Sequence, residues 1–527
     1  MTPKHAVWML IAVTALVRLI CAMSLGLGND EAYHFLYAAH PALSYYDHPP
    51  MMAWVEMLGL AIPGGGASSW AIRIGFIVLF AGSTWLLARV TSRYYGAMAG
   101  FLAAFALNVS GYYGLAASTF ALPDGPLLFF WLLTIDRLGI ALEEPESGRL
   151  MPWIWVGLTW GGAMLSKYHG VFLPLGAALY VLLHRPMRRW LFEPGPYLAL
   201  GVGLVLFSPV IVWNAGHGWA SFLFQGGRAV GSRMPRPDYL MVALLAQAVY
   251  LFPWIWIPLV VILVRGCRHW RRNAVGHERL WLCLAVVPLG VFTLVACFRP
   301  VLPHWGLIGL VALLPILGRN WSARLEKRPE PTRRMLTASA AFSLVFLVFT
   351  IVEFRYGVVQ RGHDGRWGLI EARNDPTLDL YGWDQVAGRI NQLGLIDKPD
   401  TFVFTRYWYQ SAQLAYALGR EHPVLCYNAD DPRGFAFWSR PEDWVGRDGI
   451  LVVVGEPDAQ PRYFGRWFTH VEPVSDFWVE RNGKPVRRIE LYRCIQQRAA
   501  YPFAFDRADQ VAHSPVDGDI DRERRSR

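Results

Sequence analysis

Residues 6–25, AVWMLIAVTALVRLICAMSL, and the acidic pair Asp30-Glu31 just beyond them decide how this chain is read. A helix needs roughly 20 apolar residues to cross about 30 Å of hydrocarbon. This stretch meets that length, has no small-residue cleavage site and runs directly into charge, so it reads as a retained anchor and not as a removed signal peptide. Further apolar stretches recur near 71–90, 97–116, 123–141, 152–166, 170–183, 196–213, 239–264, 280–298, 303–318 and 335–353. The pattern predicts a mainly α, polytopic membrane protein with about eleven transmembrane helices. Composition excludes a soluble globule: 54% of the 527 residues are hydrophobic, 17% are charged, and 24 are Trp.

Lys and Arg accumulate in cytoplasmic loops. Here Lys4, Arg89 and Arg93, Arg149, Arg185 with Arg188 and Arg189, Arg265 with Arg268, Arg271 and Arg272, and the group from Arg319 to Arg334 fall in alternate loops. The amino terminus is therefore expected in the cytoplasm of a cell inner (plasma) membrane protein, and an odd number of spans places everything after Tyr356 outside. The net charge of +10 is explained by this topology and calls for no nucleic-acid partner.

Past the last span the pattern changes. Short β-branched or aromatic runs (Thr401-Phe402-Val403-Phe404 and Ile450-Leu451-Val452-Val453-Val454) alternate with a helical stretch, Gln410 to Leu418, and with Gly/Pro/Asp-rich turns. The expected domains are a transmembrane domain over 1–355, a small extracytoplasmic α/β domain over 356–496 that sits above the bundle, and a disordered tail over 497–527. Cys426 and Cys494 share the external domain, where a disulfide is permitted but not required.

With that topology the unusual polar segments fall on one face: N-D-E-A-Y-H-F-L-Y and S-Y-Y-D-H-P-P after the first span, Pro123-Asp124, Ser166-Lys167-Tyr168-His169, W-N-A-G-H-G-W over 213–219 with Arg228, Arg233 and Arg236 beyond it, and His304-Trp305. Ionisable groups gathered at one membrane boundary point to a reaction site. A transport path would distribute them through the midplane and bring inverted repeats, and neither is present in the sequence.

Asp-Glu after the first helix, the aromatic-acid-x-Pro motif at Tyr46-Asp47-His48-Pro49, Pro123-Asp124, Ser166-Lys167-Tyr168 and W-N-A-G-H-G-W together resemble the bacterial relatives of protein O-mannosyltransferases and of the lipid A aminoarabinose transferase, the integral-membrane glycosyltransferases of the GT-C fold. The resemblance implies a polyprenyl-phosphate-linked sugar as donor and transfer to an extracytoplasmic acceptor, which could be a glycolipid, a polysaccharide or a protein. It favours Asp30 as the base and makes Asp124 a supporting or acceptor-side acid, the alternative being a helix cap through the Pro-Asp turn; Tyr46 and Tyr168, inside these motifs, are expected at the substrate. It also gives some support to a divalent metal at the aromatic-acid-x-Pro segment, although His48 stands where the aminoarabinose transferase carries a lysine.

The chemistry supports the same residues. A sugar on a lipid phosphate already has a good leaving group, so the protein must supply a carboxylate to take the acceptor's proton and positive charge for the departing phosphate. Asp30 is the expected base, with Glu31 as second candidate; both would also suit a helix amino terminus. Lys167, Arg228, Arg233 and Arg236 are the expected phosphate ligands. The alternatives are a snorkelling lysine and a basic patch meeting lipid headgroups. Asp47, His48 and His217 would be ligands of a divalent metal, the alternative for the first two being a polar turn before Pro49-Pro50. Trp219 is either an interfacial belt residue or a sugar-stacking one. A lipid-linked oligosaccharide ligase or polymerase is the rival enzyme class, and it would depend more on arginines and histidines than on a carboxylate.

Overall fold

The structure is a computed structural model that describes residues 2–143, 149–228, 234–270, 276–362, 365, 368–398, 400–455 and 460–503. Of the expected tail, 504–527 lies outside the described residues. The chain divides into two compact units, Met1–Val352 and Glu353–Arg527.

The first unit is helical: α1 (Pro3–Ser24), α2 (Asn29–Ala39), α3 (Met51–Leu60), α4 (Ser69–Tyr95), α5 (Ala97–Asn108), α6 (Asp124–Glu143), α7 (Met151–Ser166), α8 (Phe172–Leu183), α9 (Pro194–Gly216), α10 (Ala220–Gly227), α11 (Pro237–Leu251), α12 (Pro253–Arg268), α13 (Gly276–Ala296), α14 (Leu307–Val311), α15 (Leu314–Lys327) and α16 (Pro329–Tyr356). Among the described residues six helices are long and apolar enough to cross a membrane, and up to eight spans result if each of two bent pairs counts as one. The expected eleven are not reproduced by this count, for two reasons. Apolar runs that read as single spans are broken, by 82° between Ala97–Asn108 and Tyr112–Thr119 and by 119° between Pro237–Leu251 and Pro253–Arg268. Others, such as Met151–Ser166 at 16 residues, fall short of a full crossing.

The first break has a physical partner. A π-helical turn, Tyr112–Ala116, follows it, and the buried Arg18 of α1 donates from Nη2 to Asn108 Oδ1 (2.9 Å) and to the Gly114 carbonyl (3.2 Å), supplying hydrogen bonds that hydrocarbon cannot. Close packing of α7 on α9 depends on missing side chains. A Cβ on Gly203 would lie 2.1 Å from the Trp160 ring, and one on Gly157 would lie 2.6 Å from the Ala199 carbonyl oxygen.

The second unit contains α17 (Trp383–Gln392) and α18 (Trp408–Leu418) and a five-stranded sheet. Its strands are β1 (Phe402–Thr405), β2 (Val424–Cys426), β3 (Gly449–Val454), β4 (Phe468–Arg481) and β5 (Lys484–Gln497), in the order β2-β1-β3-β5-β4. β1 is parallel to β2 and β3, while β5 runs antiparallel to β3 and β4. β1 and β3 are apolar on both faces, as a covered parallel strand requires, whereas β4 mixes exposed and buried positions as an edge strand does. Arg481 is fully buried and held by Asp375 (2.7 Å) with Gln360, Thr377 and the Phe354 carbonyl. Cys426 and Cys494 are both buried free thiols.

Candidate functional site

Glu31 carries no free lone pair for chemistry. Arg73 of α4, with no exposed surface, donates to it from Nε (2.7 Å) and Nη2 (2.6 Å), and the backbone amides of Gly28 and Ala121 donate at 2.9 Å each. The Gly28 contact is one half of a capping box at the start of α2: Glu31 accepts from the N-cap amide, and glycine has no side chain to complete the other half. The same guanidinium also reaches the carbonyls of Ala22, Leu25 and Gly26 at the end of α1. One ion pair thus ties together the end of α1, the start of α2 and the loop that leads into Asp124. Both oxygens of Glu31, the second candidate base, are thus occupied by structural contacts.

Its neighbour is different. Asp30 is exposed, and among the described residues its carboxylate has no hydrogen bond or salt bridge. The imidazole of His34, one turn on, feels the charge of Asp30, then of Asp47 and Glu31, while burial holds its pKa below the ordinary value. His34 Nδ1 donates to the Ala121 carbonyl (3.1 Å), which in the neutral ring makes the other nitrogen the acceptor.

Asp47 is buried under aromatic hydroxyls. Tyr33 (3.2 Å) and Tyr37 both donate to its Oδ1, and Tyr37 stacks on Tyr45 at 3.9 Å. The Asp47 carbonyl accepts from Gln225 of α10 (2.7 Å), and Tyr46 packs against Phe224 of the same helix at 4.7 Å. The His48 and His34 rings stand 5.4 Å apart. Desolvation pulls the His48 imidazole down to about 3, with Asp47 pulling the other way, so it is neutral at physiological pH.

The loops place Asp124 and Lys167 in a 2.8 Å ion pair, with Lys167 almost wholly buried. Around this pair the electrostatic field couples His169, His304 and His48. Tyr112 lies between Tyr250 and His304, with rings 5.7 and 5.2 Å away and nearly coplanar. Burial pulls His304 down to about 4; it faces Asp124, Lys167 and Arg228. The Arg228 guanidinium lies 4.8 Å over the Trp305 ring and 5.1 Å over Phe224. The Tyr168 hydroxyl is hydrogen-bonded to Ser221 Oγ.

Several expected site residues are not brought to this cluster. The W-N-A-G-H-G-W segment is a turn built on Asn214: its backbone carbonyl accepts from His217 N (3.1 Å) and Trp219 N (2.8 Å), and its side-chain oxygen caps α10 by accepting from Ser221 N (3.1 Å). Trp219 has a left-handed backbone (φ 59°) and is exposed, and His217 is exposed and stacked on Trp213 at 4.1 Å. The metal triad of Asp47, His48 and His217 is not assembled. Among the described residues no three His, Cys, Asp or Glu side chains are arranged to hold a metal ion, and the Asp47 carboxylate is taken by two tyrosines. Arg236 is exposed and pairs with Asp238 at 2.8 Å, and Arg233 lies outside the described residues. Sequence reasoning missed Arg73, Tyr112, Tyr250 and Gln225, and left His304 unassigned. Arg73 had a signal: a charge at the mouth of an apolar span needs a partner of opposite sign.

Residues 47–213 match the family described as dolichyl-phosphate-mannose-protein mannosyltransferase. The fold is that of ArnT from Cupriavidus metallidurans in the apo state (TM-score 0.59, 15% identity, 93% of this chain and 98% of that one) and of the same protein bound to undecaprenyl phosphate (0.58, 16%, 92% and 97%). The chain therefore shares the GT-C fold of ArnT and carries, among its described residues, the apolar helices of a multi-pass membrane protein. A curated relative is the lipid A galacturonosyltransferase RgtD of Rhizobium johnstonii, 26% identical over 332 residues; the match takes in 61% of this chain and just under two thirds, 66%, of that protein.

Proposed function

We propose that this glycosyltransferase moves a sugar from a polyprenyl-phosphate donor to a lipid A or core glycolipid on the extracytoplasmic face of the inner membrane. The observation that carries the reading is the division of labour in the acidic pair: Glu31 is saturated by Arg73 and backbone amides, and Asp30 beside it is exposed and, among the described residues, has no hydrogen bond or salt bridge. Asp30 takes the proton from the acceptor's nucleophile as the new bond to the anomeric carbon forms and the bond from that carbon to the phosphate oxygen breaks. The departing polyprenyl phosphate carries its negative charge towards Lys167 and Arg228. Asp124 holds Lys167 in place. The residues present do not make a ligand set for a divalent metal, so no step is routed through one. The names of the relatives support the donor and acceptor classes and make galacturonic acid the first sugar to test.

The amino terminus is placed in the cytoplasm and residues 356–527 outside, on the alternation of basic loops. The parity holds if Met151–Ser166, Tyr168–Leu183 and the Leu307–Lys327 stretch also cross, which brings the eight candidate spans to eleven.

The test is Asp30→Asn in purified protein supplied with polyprenyl-phosphate donors and lipid A. Turnover should fall by roughly two to four orders of magnitude, the scale of a lost general base, while the thermal midpoint holds because no partner is lost. Near-normal turnover refutes the base. A parallel run in chelator reads metal dependence directly.

A further inference from the structure

The second unit holds a cluster that the chemistry above leaves unused. In the sheet order β2-β1-β3, the chain leaves β1 through α18 to β2 on one side and then reaches β3 on the other. The connections therefore part beyond the carboxyl end of β1, the place where open α/β sheets form a ligand crevice. Three consecutive half-buried aromatics stand there, Tyr407, Trp408 and Tyr409, preceded by the exposed Arg406. The Tyr407 and Tyr409 rings are 5.6 Å apart and inclined by 20°. From the segment after β2, Arg433 lays its guanidinium 4.5 Å over Trp408 and reaches Asp431 at 3.0 Å. Arg433 does so from a left-handed backbone, φ 51°, which a long side chain adopts rarely.

We infer that this crevice is a saccharide subsite that receives the sugar rings of the acceptor, an inference that rests on the acceptor being a glycolipid. A pyranose offers an apolar C–H face and an equatorial girdle of hydroxyls. The face packs flat on indole and phenol rings, whose polar tips stay wet, and the hydroxyls meet the planar guanidinium and carboxylate of Arg433 and Asp431 at the rim. The donor sugar needs no such platform, because its phosphate carries the charge by which Lys167 and Arg228 hold it.

The experiment titrates the deacylated lipid A disaccharide into the full-length protein in nanodiscs without donor, by calorimetry, for the wild type, Trp408→Ala, Trp408→Phe and Arg433→Ala. The wild type binds. Trp408→Ala and Arg433→Ala each weaken binding about three- to tenfold, the worth of one aromatic or cation-π contact, and Trp408→Phe restores most of the loss. In transfer assays the acceptor KM rises by the same factor and the donor KM moves less. A wild type that does not bind the disaccharide, or alanine variants that bind as the wild type does, overturns the subsite. Binding with these sensitivities but no sugar transfer from any donor overturns the proposed function and leaves the subsite standing.

Discussion

Glu31→Gln separates a pin from a base. The substitution keeps the shape of the side chain and removes its charge, leaving the Arg73 guanidinium fully buried with three backbone carbonyls and no counter-ion. Breaking a buried pair from one side costs about 3–5 kcal/mol. For a unit of 352 residues, soluble-protein scaling turns that into a fall of about 4–7 °C in the unfolding midpoint. Removing both charges with Glu31→Gln and Arg73→Met should cost less than the sum of the two single changes, with a coupling above about 1 kcal/mol, since the two side chains share their hydrogen bonds. The assay is thermal unfolding in detergent beside turnover on the folded fraction. The pin predicts a lowered midpoint with residual turnover, because Asp30 remains. An unchanged midpoint with turnover abolished to the depth of Asp30→Asn would show that Glu31 does the chemistry and refute the reasoning.

Lys167→Met should lower both stability and turnover by stranding Asp124, and adding Asp124→Asn should recover the midpoint but not the rate; a rate that also returns would remove Lys167 from the phosphate site. Arg228→Ala should raise the donor KM severalfold and Arg236→Ala should leave it unchanged, since Arg236 is engaged with Asp238 at the surface; equal effects in donor kinetics would mean a diffuse basic patch. For His48 the folded pKa of about 3 lies below the ordinary 6.5, so the stability that comes from keeping it neutral is complete above about pH 6.5 and is lost as pH falls towards 3. Midpoints measured from pH 7 to 4 should decline less steeply in His48→Gln than in the wild type, and parallel curves would contradict the burial of that ring. A reporter that works only outside the cytoplasm, fused after Tyr356, should be active if the topology holds.

What the sequence shows and hides follows from the range of the forces involved. Apolar length and basic loops are local signals, so α1, α4, α6, α9, α13 and α16 are legible from hydropathy alone. The break near Asn108 is not, because both flanks remain apolar and its partner, Arg18, comes from another helix, whereas the break at Phe252 is marked by Pro253, which opens α12. The site follows the same rule. Asp124 and Lys167 could be picked out as polar residues at span ends, but their pairing across 43 positions of sequence is visible only in three dimensions. The W-N-A-G-H-G-W segment misled in the opposite direction: its polar and aromatic residues looked like ligands, and they serve a turn that Asn214 holds closed.

The acidic pair could have been divided on helix geometry alone. Successive residues on a helix project about 100° apart, so Asp30 and Glu31 cannot face one site together. Gly28 at the helix cap and Glu31 three residues later make the spacing of a capping box, which turns the second acid back towards the chain that enters the helix. The first acid is thereby left exposed on another side of the helix. Arg73 then has an electrostatic reason to exist in an otherwise apolar span, since the buried glutamate offsets the cost of burying its charge. The motif is one device with two parts. In the proposed reaction the charge of Asp30 stays available because its neighbour's charge is spent on holding α1, α2 and the Asp124 loop in register, and moving either acid to the other's position should cost both stability and turnover.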